Sequence, residues 1–193
     1  MIKKLSSIHA TSASHIHFKM LPNDFLASFG ITFMELLYGA LLSLPPIIAL
    51  GFFQRKKLVG IIITTTDTKE VFGSVIKKNL LKFSPLILKS ILKNPLIIPK
   101  LIETLLYTQK KSGVSAEILV LAVDSSIQRN GIGSKLFHTA KKSLRDKKVT
   151  RFSVGTHANN KASNAFYKKH GGLFIFSFRQ YDTIWNNYSF STS

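Results

Sequence analysis

Apolar positions recur at helical spacing over residues 24–42, where Phe25, Phe29, Phe33, Leu36, Leu37, Ala40 and Leu41 fall on one face. Pro22 and Asn23 precede this stretch and Pro45-Pro46 close it, so it reads as one helix. Two apolar, β-branched runs, 47–53 and 58–66, flank the basic turn Gln54-Arg55-Lys56-Lys57 and predict a β-hairpin. The next stretch, 71–107, is apolar but carries Lys77, Lys78, Lys82, Lys89, Lys93 and Lys100 against one acid, Glu103. Pro85, Pro95 and Pro99 interrupt it, which predicts two or three short amphipathic helices. After a division near Ser112-Gly113 the pattern becomes regular. A strand at 117–123 leads to a helix from Ile132 to near Arg145, with Ile132, Leu136, Phe137, Ala140 and Leu144 on its inner face. A strand follows at 150–154, then a helix at 160–170 with Ala162, Ala165 and Phe166 inward and Gly171-Gly172 ending it. Strands at 173–178 and 183–190 complete the chain. This order predicts a largely parallel pairing with right-handed crossovers, in one α/β (α+β) domain spanning 1–193 with a basic helical insertion at 71–111.

Composition narrows the chemistry. Cys is 0, which excludes disulfides, thiolate metal sites and a cysteine nucleophile. Lys and Arg number 27 against 9 acids, a net charge of +18 that favours an anionic partner: a phosphorylated cofactor or substrate, an acidic membrane or nucleic acid. Against nucleic acid, Arg is scarce and the aromatics sit in apolar runs that read as core. Ser6, Ser7, His9, Thr11 and Ser12 stand where a secretory signal needs an apolar run. The most membrane-like window, 31–53, carries Glu35 and is broken by Pro45-Pro46, so neither half spans a bilayer. The expectation is a soluble, cytoplasmic protein, with peripheral membrane contact left open. His15 and His17 would share one strand face, but no third ligand lies nearby, so no metal site is expected.

The most informative segment is the joint from Leu121 to Gly133, an apolar strand, a polar loop and a helix start. Free N–H groups at a helix start, with Gly131 and Gly133 permitting close approach and Arg129 adding charge, make a phosphate cradle. No Gly-Lys-Ser/Thr closes the loop, and Leu136 replaces the third glycine of a dinucleotide fingerprint. Asp124 is placed to cap the loop.

Gln128-Arg129-Asn130-Gly131-Ile132-Gly133 resembles the Q/R-x-x-G-x-G/A motif of the GNAT superfamily of N-acetyltransferases. Asn160-Lys-Ala-Ser163-Asn-Ala-Phe166-Tyr167-Lys-Lys-His-Gly171 is similar to that superfamily's second signature, N-x-x-(A/S)-x-x-(F/Y)-Y-x-x-x-G. Gly172 departs from the pattern, which has Phe there, and leaves the packing after the helix open. The resemblance implies a mixed, partly parallel central sheet flanked by helices, acetyl-CoA as acyl donor and no metal. It implies that Gln128 and the loop amides from Arg129, Asn130, Gly131 and Ile132 to Gly133 and Ser134 hold the pyrophosphate. Backbone groups of Leu121 and Val123 would pair with the pantetheine arm and polarise the thioester carbonyl, in a slot where this strand parts from 150–154. Asn160 would contact the cofactor from the far side.

Two proton transfers remain. The resemblance gives Tyr167 the role of acid toward the thiolate, and Glu117, four residues before Leu121, the role of base. The residues alone are also compatible with a core aromatic and with a strand-end carboxylate paired to a lysine. His157 is an alternative base. The expected acceptor is a primary amine of a small molecule, with an amino sugar on a phosphorylated carrier suiting the positive charge. Protein amino groups are the other acceptor class, and a non-catalytic basic membrane- or nucleic-acid-binding module is the competing function. The segment 71–107 can be read as a basic lid beside the acceptor pocket or as a packed insertion with solvated lysines. The sequence does not fix the oligomeric state.

Overall fold

A computed structural model describes residues 1–106 and 113–193. The division at Ser112 and the end of the 71–111 insertion fall outside the described residues. Seven strands form one sheet in the order β1-β2-β3-β4-β5-β7-β6. They are β1 (Ile2–Lys4), β2 (Ile47–Gln54), β3 (Lys57–Thr65), β4 (Glu117–Val123), β5 (Arg151–His157), β6 (Leu173–Gln180) and β7 (Thr183–Ser191). Only β4 and β5 pair in parallel, and every other neighbouring pair is antiparallel. The sheet is mixed and partly parallel, as the resemblance implies, and the largely parallel pairing read from the strand and helix order of 117–178 is corrected. The last strand returns as a hairpin partner of β6 and inserts beside β5, separating the two strands that a helix connects.

Helices cover both faces. On one side lie α1 (Ala10–Met20), α2 (Ile31–Leu41) and α3 (Thr68–Lys93), followed by α4 (Ile97–Leu106). On the other lie α5 (Ile132–Asp146) and α6 (Lys161–Lys169). β3 is buried on both faces: Ile61 and Ile63 enter the core under α1–α3 while Ile62 enters the core under α5 and α6. A strand covered on both sides reads as a continuous apolar run, which is the pattern at 58–66. The hairpin turn is made by Arg55 and Lys56, both in the left-handed region (φ 47° and 68°), the twist that a two-residue loop requires.

Several local expectations are corrected. The stretch 24–42 is split by Gly30 (φ 90°) into a 3-10 turn, Leu26–Phe29, and α2. His15 and His17, read as sharing one strand face, lie instead in the helix α1. Its buried face holds Ser14 and His17 as well as Ala10, Ala13 and Ile16, so no apolar period marks it. α3 runs 26 residues straight through Pro85. Proline removes the donor that would reach the Leu81 carbonyl, and the Ser84 hydroxyl donates to that carbonyl instead, at 3.3 Å. Pro99 falls in the first turn of α4, where its missing N–H costs nothing. In α6 the buried positions are Asn164 and Tyr167, with Phe166 partly covered, whereas Ala162 and Ala165 are exposed.

Candidate active site

The site begins with a fork in the sheet. β4 and β5 pair only at Glu117 with Ser153 and Ile118 with Val154. Beyond Ile118 the strands diverge, leaving that edge of β4 without a strand partner. On its other edge β4 carries a bulge: Ile63 pairs with Val120 and Thr64 with Ile118, so Leu119 is the extra residue. Leu119 and Val120 then both pack toward the α1–α3 core, and Leu121 and Val123 toward α5. A bulge beside a parting re-aims the backbone at the open edge.

The open end of the fork is closed by the loop into α5. Asp124 accepts from the amide and hydroxyl of Ser126, at 3.0 and 2.8 Å, and from Lys19 at 3.1 Å. The Ser126 bonds, aided by Lys19, hold its carboxyl at about 2. Gln128 donates from Nε2 to the Val123 carbonyl at 2.9 Å, fastening the loop to β4. Gly131 adopts φ 73° as the residue before α5, and nothing lies within 4 Å of where its Cβ would be. Among the described residues, the N–H groups from Arg129 to Ser134 find no acceptor. Six unsatisfied donors at the positive end of a 15-residue helix form an anion cradle.

α6 completes this side. Asn160 caps it, accepting from the Ser163 amide at 3.0 Å. Tyr167 is buried, its ring packed against Phe166, Phe137, Tyr188 and Phe190. Burial raises the Tyr167 hydroxyl far above the usual tyrosine range, and that hydroxyl hydrogen-bonds to none of the described residues. Asn164 is the hub that sequence reasoning missed. Its Nδ2 donates to the carbonyls of His157 and Asn160, and its Oδ1 accepts from Asn186 and Tyr188. The helix ends on Gly171 (φ 83°), and a Cβ on Gly172 would lie 2.7 Å from the Phe190 ring and 2.8 Å from the Tyr167 carbonyl. Phe190 fills the space that a larger residue at 172 would take, which accounts for the departure from the motif.

Glu117 is buried at the closed end of the fork, where the Thr68 hydroxyl donates to it at 3.4 Å. Ile118 packs under α5, so Glu117 turns to the opposite face. On that face, further along β5, is a cavity of about 430 Å³ lined by Asp24, Phe25, Lys93, His157, Tyr181 and Trp185, among others. Glu117 does not line it and His157 does. Trp185 stands edge-on to His157 at 4.1 Å. Burial lowers the His157 pKa, so the ring is neutral near pH 7.

Asp24 is held rigidly at the cavity wall. Its Oδ1 accepts from the Leu26 amide at 3.0 Å and its Oδ2 lies 2.7 Å from His17 Nε2. His17 Nδ1 lies 2.8 Å from the buried Tyr38 hydroxyl, whose pKa burial and the Asp24 charge push well up. The insertion supplies Lys93, Leu96 and Lys100 to the lining and is tied to Tyr181: Glu103 accepts from the Tyr181 amide at 2.6 Å, and Thr104 pairs with the Tyr181 hydroxyl at 2.8 Å. Sequence reasoning missed Asp24, Tyr181 and Trp185 as wall residues, because three distant segments meet only in the fold. Among the described residues no three His, Asp or Glu side chains cluster as a metal site, and no helix is long and apolar enough to cross a membrane.

Residues 96–172 match the model of the acetyltransferase (GNAT) family. Among solved structures, the ribosomal-protein-S18-alanine N-acetyltransferase of Escherichia coli is similar at TM-score 0.64 and 16% identity, over 100% of this chain and 94% of that one. Aminoglycoside 6'-acetyltransferase type Ii is similar at TM-score 0.64 and 14% identity, over 100% and 97% of the two chains. A streptothricin acetyltransferase of Bacillus anthracis strain Ames, in complex with acetyl coenzyme A, gives TM-score 0.50 and 14% identity, over 78% of this chain and 65% of that one. No curated protein sequence matches. The two motifs, the forked mixed sheet and the loop cradle agree with the family match: residues 96–172 carry the GNAT acetyltransferase family pattern, and the chain as a whole has the fold of those acetyltransferases.

Proposed function

We propose that the protein transfers an acetyl group from acetyl-CoA to a primary amine of a small molecule bound in the cavity beside Asp24, with residues 1–193 acting as one unit. The observation that carries this reading is the row of unsatisfied amides, Arg129 to Ser134, set at the open end of the β4/β5 fork. The amides take the pyrophosphate, Gln128 keeps the loop on β4, and Asn160 flanks the far side. The fork receives the pantetheine arm, along which the backbone of Leu121 and Val123 offers its polar groups. These fixed dipoles stabilise charge on the thioester oxygen as the C–N bond forms. Glu117, which does not line the cavity, accepts through a bridging water the proton that the attacking amine sheds, and Tyr167 donates one to the sulfur as the C–S bond breaks. His157 offers a second reading for the base, supported by its position in the cavity wall and its neutral ring.

The cavity carries charge of both signs. Asp24 suits the ammonium of an acceptor, while Lys93 and Lys100 suit an anionic group. An amino sugar on a phosphorylated carrier has that polarity.

Gly133→Asp tests the donor site. The residue has ordinary helical geometry, and a Cβ there would meet only Phe166, at 3.7 Å. An acid in the first turn favours the helix yet repels a pyrophosphate. Calorimetry should show acetyl-CoA affinity reduced by tenfold or more with the melting temperature held or raised. Unchanged affinity would remove the cradle from the account.

A further inference from the structure

We infer that the outer face of α3 and α4 docks on an anionic phospholipid membrane. α3 is apolar on two sides. Phe83, Leu86 and Ile87 pack toward the core. On the opposite side Leu81, Leu88 and Leu92, spaced i, i+7 and i+11, are 89%, 56% and 76% exposed. The stripe continues through Leu96 at 77% and into Ile98 and Ile102 of α4. A helix with apolar residues all round is ordinarily covered on every side, and this one is covered on only one.

The charges around the stripe select its partner. Lys77, Lys82, Lys89 and Lys93 are exposed along the same helix, and Glu70 and Glu103 are the only acids in α3 and α4. Pairing with a second copy would bring these lysines against one another. Nucleic acid would suit the charge, but Leu and Ile offer no ring for bases to stack on. Aliphatic side chains ringed by lysines match an interfacial helix, which inserts its apolar face at the acyl boundary and pairs its cations with headgroup phosphates. Leu96 belongs both to the stripe and to the cavity wall, as does its neighbour Lys93 to the rim. Docking on this face therefore sets the mouth of the cavity against the headgroup layer.

The test is sedimentation of the full chain with vesicles, which needs no acetyl transfer and so stands apart from the catalytic reading. Vesicles of phosphatidylcholine mixed with phosphatidylglycerol should carry the protein down, and phosphatidylcholine alone should not. Leu81→Ser/Leu88→Ser/Leu92→Ser should weaken binding by tenfold or more at unchanged charge. Lys77→Gln/Lys82→Gln/Lys89→Gln should weaken it by about a hundredfold. Acetyl-CoA affinity and melting temperature should hold in both, since none of the six residues touches the cradle or the cavity. Failure of the wild type to bind mixed vesicles overturns the inference. So does a serine variant that binds as well as the wild type, or a wild-type dimer that the serine changes convert to monomer. Displacement by duplex DNA of a protein whose vesicle binding ignores the leucines would assign the face to nucleic acid instead.

Discussion

Replacing Tyr167 with Phe isolates one hydroxyl. The ring sits among Phe166, Phe137, Tyr188 and Phe190 at centroid distances of 5.3 to 6.4 Å, and phenylalanine fills the same space. The hydroxyl hydrogen-bonds to none of the described residues, so removing it leaves no orphaned partner, and the fold should change by no more than about 0.5 kcal/mol. For a chain of this size that is about 2 °C or less in melting temperature. Catalysis should respond very differently. Burial keeps this tyrosine protonated across the working range, as a donor to a departing thiolate must be. General acid terms are worth about 10²-fold or more, so kcat should fall by at least that factor, about 2.7 kcal/mol of barrier. The assay is CoA release followed with a thiol reagent, alongside acetyl-CoA titration and a melting curve. A kcat within a factor of three of wild type would refute the reasoning and leave Tyr167 as a core aromatic. The same burial gives a stability signature. A tyrosine whose folded pKa is raised contributes in full below its ordinary value of about 10, and loses that contribution as pH climbs toward the folded value. Tyr167→Phe should therefore move alkaline unfolding to higher pH, with Tyr38 and Tyr181, the latter pushed up to about 12, accounting for what remains.

Asp24→Asn should raise the acceptor KM by about 10- to 100-fold, the scale of a charged hydrogen bond, while acetyl-CoA affinity holds. An unchanged KM for every active amine would take Asp24 out of acceptor binding. Glu117→Gln should flatten the ascending limb of kcat/KM against pH or depress activity across it, and His157→Ala should leave the limb in place; the opposite pattern would make His157 the base. Gly172→Ala should cost about 1–3 kcal/mol, since the added Cβ meets the Tyr167 carbonyl and the Phe190 ring. A melting temperature equal to wild type would contradict the packing described for the end of α6.

Legibility in the sequence followed how local the determining physics is. The loop and start of α5 were readable because glycine geometry, free amides and an apolar face all lie within about twenty residues. β4 and α5 accordingly fall where the pattern puts them. α1 was hidden because Ser14 and His17 face inward and find their partners in Thr11, Asp24 and Tyr38, which a hydrophobic period does not register. Pro85 misled because its effect depends on the hydroxyl beside it. Sheet direction misled because β7 inserts between β5 and β6, a pairing set by a hairpin and not by the crossover helix. The acceptor cavity was the least legible part. It joins residues near 24, 93 and 157–185, and no spacing in the chain records that meeting.

The most direct measurement is CoA release from acetyl-CoA in the presence of a panel of primary amines, amino sugars and amino sugar phosphates among them, with the product examined by mass spectrometry. The account predicts release that requires both protein and amine, with one acetyl group gained on the amine nitrogen. Absence of acetyl-CoA binding by calorimetry, together with no amine-dependent release from any member of the panel, would contradict it.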